Sequence, residues 1–129
     1  MPGEPDMHRT VEASLAEELV RIHVDSYGKG AGRTTVHIID DAVICFLDQL
    51  ELQRTEEFMI NAGHEDAVVE IRTRYQAAIE TTFTAVVERA TGRRVVSFVS
   101  AMKLSPNYAV EIFRLGPPGE APLEEPRGD

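Results

Sequence analysis

Residues 34–47 read Thr34-Thr35-Val36-His37-Ile38-Ile39-Asp40-Asp41-Ala42-Val43-Ile44-Cys45-Phe46-Leu47. β-Branched residues flank a central pair of aspartates. That pattern predicts a hairpin, with strands Thr34–Ile39 and Ala42–Leu47 joined by Asp40 and Asp41. Aspartate suits the turn because it tolerates the positive φ that two-residue hairpin turns require. Val36 and Ile38 fall on one face of the first strand, and Cys45 and its neighbours alternate on the second.

Upstream of the hairpin, Val11, Leu15, Leu19 and Ile22 recur at three- and four-residue steps. This spacing predicts a helix over His8–Tyr27, stopped by Gly28. Downstream, Gln53–Ala62 reads as a short helix ended by Gly63, with Leu52, Phe58 and Met59 as its apolar contacts. A long helix is predicted over Glu65–Thr91, with Val68, Ile71, Tyr75, Ile79, Phe83, Val86 and Ala90 as one apolar stripe and Gly92 as its stop. A second hairpin closes the pattern, with strands Val95–Met102 and Tyr108–Leu115. Ser105-Pro106-Asn107 between them suits a type I or II turn.

The expected fold is therefore α+β, in the order helix, hairpin, short helix, long helix, hairpin. The simplest architecture is a four-stranded antiparallel sheet with the long helix across one face. The first helix either joins that layer or docks on a partner chain. Residues 8–115 form the expected single domain. Residues 1–7 and the Pro- and acid-rich 116–129 are expected to be disordered tails. Exposed sheet edges in so small a domain favour a homodimer.

The 129 residues are 43% hydrophobic and 27% charged, which suits one folded domain. The net charge of −9 repels phosphate backbones and anionic lipid, which argues against nucleic acid as a partner. No stretch approaches the roughly 20 apolar residues of a membrane span, so no direct membrane insertion is expected. A single cysteine, Cys45, allows no internal disulfide, and the first residues lack a secretory signal pattern; both favour a cytoplasmic protein.

Candidate chemistry is sparse. The loop Gly28-Lys29-Gly30-Ala31-Gly32-Arg33 exposes glycine N–H groups beside two cations, so Gly28, Lys29, Gly30 and Arg33 are candidates for holding a small anion or phosphate. The loop runs from helix to strand, however, whereas a phosphate loop runs from strand to helix; a helix stop with a connection is the competing reading. Arg93 and Arg94 follow the long helix, where cations complement its negative end or grip a partner's carboxylates. His37 and Cys45 lie on the two arms of one hairpin and could pair as base and nucleophile, but no motif surrounds them. His8, His23, His37 and His64 share no metal-ligand spacing. No catalytic residue, metal site or cofactor is assigned.

Several segments carry a family resemblance. They are Tyr27-Gly28-Lys29-Gly30, Ala62-Gly63-His64-Glu65-Asp66, Arg74-Tyr75-Gln76-Ala77, Thr91-Gly92-Arg93-Arg94-Val95-Val96-Ser97-Phe98 and Leu104 to Phe113. Together they resemble the MpsC-like family over roughly Ala16 to Leu115. Ala31-Gly32-Arg33 and Ser100-Ala101-Met102-Lys103 depart from its pattern. The resemblance implies a small accessory or regulatory protein of a sodium-translocating, membrane-potential-generating system. Other components of that system resemble an ion-transporting membrane protein and its large partner, implicated in inorganic carbon uptake. Any link to such a transport complex would run through protein contacts. The resemblance brings no catalytic residues with it.

Overall fold

The computed structural model describes residues 4–119, with side chains from Arg9 onward. The elements are α1 (Glu4–Tyr27), β1 (Ala31–Ile39), β2 (Ala42–Leu50), α2 (Arg54–Asn61), α3 (Glu65–Ala78), α4 (Glu80–Thr91), β3 (Val95–Leu104) and β4 (Asn107–Leu115). The four strands form one antiparallel sheet in the order β1-β2-β4-β3, so the two hairpins join through β2 and β4. The α+β architecture matches the expectation. α1 begins at Glu4, upstream of the expected start. Residues 1–3 and 120–129, which belong to the expected tails, lie outside the described residues.

Helices cover one face of the sheet. α1 packs on β1 and α4, and α3 and α4 pack on β3. The first helix thus joins the layer rather than waiting for a partner. The core lies between, where Leu15 and Leu19 of α1 and Phe83 and Val87 of α4 meet Val43, Cys45, Leu47 and Phe113 of the central strands. Asp40 has φ 51°, as its turn position requires. Gly28 and Gly92, with φ 86° and 68°, end their helices in the left-handed conformation.

Four local expectations are corrected. The long helix is two helices, because the backbone breaks at Ile79 (φ −109°, ψ 15°). The run Ile79-Glu80-Thr81-Thr82 is rich in β-branched residues, which hold a helix poorly, and the break lets α3 and α4 pack separately. In the stripe on α3, Val68 is buried as expected, but Arg72 is buried in place of the expected Ile71, and Ile71 is exposed. On α2 the buried residue is Glu56, while Phe58, expected to make an apolar contact, is exposed. The second hairpin turn contains a cis Ser105–Pro106 peptide, which belongs to the cis-proline class rather than types I or II.

The register fixes which side chains share each face. One row on the helix-covered face holds Val36, Cys45, Glu111 and Ser100. On the opposite face, His37, Ile44, Ile112 and Val99 form one row and Thr35, Phe46, Val110 and Ala101 the next. Among the described residues no helix packs there.

Candidate functional site

The polar groups that folding has buried lie in the seam between α1, α2, α3 and the sheet. Burying a charge is costly unless it is paired, so these groups mark where the sequence departs from a plain core. Among the described residues four are both buried and polar: His23, Glu56, Arg72 and Glu111. Each sits where the backbone period sends it inward. His23 follows Leu15 and Leu19 at four-residue steps on α1, and Arg72 follows Val68 on α3. Glu111 shares the inward side of β4 with Ala109, Phe113 and Leu115.

Glu56 is the hub of the first cluster. Arg72 donates to both its oxygens, from Nε to Oε2 at 2.7 Å and from Nη2 to Oε1 at 2.8 Å. The Tyr27 hydroxyl donates to Oε2 at 2.8 Å and the Gln53 backbone N–H to Oε1 at 2.8 Å. Arg72 also donates to the Glu51 carbonyl and lies 4.7 Å above the Tyr27 ring. Gln53 Nε2 donates to the Tyr27 carbonyl at 2.6 Å. The result ties α2 to the end of α1 and to the middle of α3.

The electrostatics follow this geometry. Burial alone would raise the Glu56 pKa, but the bonds from Arg72, the Gln53 backbone and Tyr27, with the Arg72 charge, hold it below the usual carboxylate range. Burial, then the bond to Glu56, pushes Tyr27 up to about 12. Burial opposes the charge on Arg72, yet Glu56 more than compensates and its pKa is raised. Because the folded pKa of Glu56 is depressed, its stabilisation is present above the unfolded value, about 4.3, and is lost as pH falls through the folded value. The melting temperature of the wild type is therefore expected to fall more steeply between about pH 5 and pH 3 than that of Glu56→Gln. Circular dichroism melts across that range check it, and parallel slopes would contradict it.

A second pair lies deeper. His23 Nε2 and Glu111 Oε2 are 3.0 Å apart, and neither side chain is open to solvent. The His23 ring packs against Tyr75 and Phe83 at centroid distances of 5.6 and 5.1 Å. Tyr75 in turn lies 4.8 Å from Tyr27, so the two polar centres are bridged by aromatic rings. Glu111 Oε1 and Gln76 Oε1 have no protein partner, and both residues line a cavity of about 20 Å³. That volume is enough for a single water.

Of the residues singled out from the sequence, few meet. The register pairs Val36 with Cys45 and places His37 opposite Ile44, so His37 and Cys45 point to opposite faces of the sheet. Cys45 instead neighbours Glu111 across the strands, and burial followed by that carboxylate pushes its thiol pKa up, the reverse of an activated nucleophile. In the glycine loop, Gly28 is a helix stop and Arg33 stands on the outer face of β1. Lys29 is half-buried between them. The Gly30 N–H donates to Glu51 Oε1 at 3.1 Å, so a carboxylate of the chain already occupies it. A Cβ on Gly30 would come within 3.0–3.1 Å of Val24 and Val20, so glycine there permits close packing on α1. Arg93 is engaged within the chain, donating to Asp41 Oδ1 at 2.7 Å and to the Asp40 and Gly116 carbonyls. Arg94 follows it at the α4–β3 junction and is half-buried. No group of three or more metal-binding side chains gathers among the described residues.

Over the Glu56 hub lies a cavity of about 300 Å³, open to solvent and mostly apolar. Tyr27 and Glu56 line it with Met59, Val68 and Ile71. Phe58 and Ile71, 71% and 58% exposed, stand on the same pair of helices. A family model described as "Na+-translocating membrane potential-generating system (MpsC)" matches residues 8–116. The chain belongs to the MpsC family. No curated protein and no solved structure matches it. The match covers every strand, every residue of the buried seam and the α2–α3 groove. No helix among the described residues of this MpsC-family chain is long and apolar enough to cross a membrane.

Proposed function

We propose that this MpsC-family chain is a non-enzymatic accessory or regulatory protein of a sodium-linked membrane system and that it works by contact with other proteins. The observation that carries the reading is the apolar groove between α2 and α3, lined by Ile71, with Phe58 in an adjoining hollow that shares Thr55 and Met59 with it. Isolated exposed apolar side chains are ordinary, but two large ones beside a preformed apolar cavity fit a place where a partner inserts its own. The Glu56–Arg72–Tyr27 network then has a role. It fixes α2 against α1 and α3 and so holds the shape of the groove, because a fully satisfied buried network is rigid. The family's description supports a link to a Na+-translocating system, and the partner in this reading is a membrane protein of such a system. The protein acts from the cytoplasmic side, through protein contacts rather than insertion, and as a homodimer.

The test is affinity capture of the tagged chain from its own cells, with gently solubilised membranes included. The expected result is recovery of an integral membrane protein of an ion-transport system. Recovery of the tagged chain with no membrane protein, at full yield of folded bait, would overturn the proposal.

A further inference from the structure

We infer that a second copy of this chain docks on the outer face of the sheet, the face that no described helix covers. This deepens the reading that the protein works through contacts and is tested separately from it. The centre of the face is apolar on β2, β4 and β3, and on β1 it carries Thr35 and His37. Ile44, Phe46, Val110 and Ile112 stand on the two central strands, and Val99, 54% exposed, extends the patch onto β3. Ile39, 53% exposed, extends it at the turn end of β1. An apolar surface over three strands of a sheet is what sheet-on-sheet packing normally covers.

Extent fits a second copy, and the face holds few of the chain's acids. Four strands about 4.8 Å apart and nine residues long, at about 3.3 Å each, make a face on the order of 550 Å². Two such faces bury roughly 1,100 Å² together, close to the smaller stable interfaces at about 1,200 Å². The face is also largely spared the acidic excess of the chain. Its outward positions include Arg33, Lys103 and Arg114 against one acid, Asp48, all at its ends. Two copies with net charge −9 can therefore meet there without setting acid against acid. A flat apolar centre pairs with itself under a two-fold axis, as the commonest dimers do.

Pairing through the β3 edge is the less suited route. β3, one of the two edges, is bulged between Val95 and Ser97 and carries the exposed Lys103. Bulges and edge lysines are devices that block strand addition.

Sedimentation equilibrium of the purified full chain tests the proposal. The wild type is expected at twice 14.3 kDa. Ile112→Lys and, at an exposed edge-strand position, Val99→Glu are each expected to weaken the dimer at least about a hundredfold, since symmetry buries every introduced charge twice. A cooperative melt shows that each variant is folded. A monomeric wild type at tens of micromolar, or a dimer indifferent to both folded variants, would overturn it. If the wild type is a monomer but both variants lose a captured membrane protein, the face belongs to that protein. The second-copy assignment then fails while the accessory role stands. If the dimer is found and capture fails, the reverse holds.

Discussion

Replacing Arg72 with alanine is expected to lower stability by about 3–5 kcal/mol. The guanidinium makes two bonds to Glu56, one to the Glu51 carbonyl and a stacking contact with Tyr27. Removing it leaves a buried carboxylate with only Tyr27 and the Gln53 N–H to stabilise it. The cost comes from that stranded charge more than from the loss of attraction. Thermal melts should show a fall of about 10–20 °C. Removing both charges with apolar residues, as in Arg72→Met with Glu56→Leu, is expected to cost less than Arg72→Ala alone, because no buried charge is left behind. A double variant less stable than the single would contradict this.

Phe83→Ala is expected to cost about 3–5 kcal/mol through a different mechanism. Phe83 is fully buried and packs against the rings of His23 and Phe98 at 5.1 and 6.1 Å. Deleting the ring opens a cavity beside the His23–Glu111 pair, and close-packed surroundings collapse into it only in part. Denaturant unfolding followed by circular dichroism measures the loss. A change below about 1 kcal/mol would mean that α4 does not pack as described. By contrast, Ile71→Asp is expected to stay within about 0.5 kcal/mol, since that side chain is 58% exposed.

The strands and the first helix were legible in the sequence because their apolar periods are regular. The aspartate turn was legible because its chemistry is specific. The Ile79 break was not, since the apolar stripe runs straight through it and only the local threonines hint at a weak point. The buried seam was harder still. Arg72 and Glu56 look like solvated charges in a chain that is 27% charged. Their pairing depends on how α2 folds back on α3, which no local pattern states. Glu111 did leave a signal, because it occupies an inward position between Ala109 and Phe113 in a strand whose alternation is otherwise apolar. His23 left a similar one, four residues after Leu19. The family resemblance named from TGRRVVSF and the AVEIF strand agrees with the match over residues 8–116. The candidate loop from Gly28 to Arg33 owes its glycines to a helix stop and to close packing of Gly30, while the groove beside Phe58 needed the structure to be seen.

Work by protein contact is tested most directly by quantitative mass spectrometry of the captured complex. The wild type is compared with the Phe58→Asp/Ile71→Asp double variant, each tagged at the same level in its native cells with membranes included. The expected result is an ion-transport membrane protein recovered with the wild type and lost at least about tenfold with the folded double variant, as follows when charges enter an apolar contact. Equal recovery of that protein by both, or no membrane protein with either, would contradict a contact role for the α2–α3 groove.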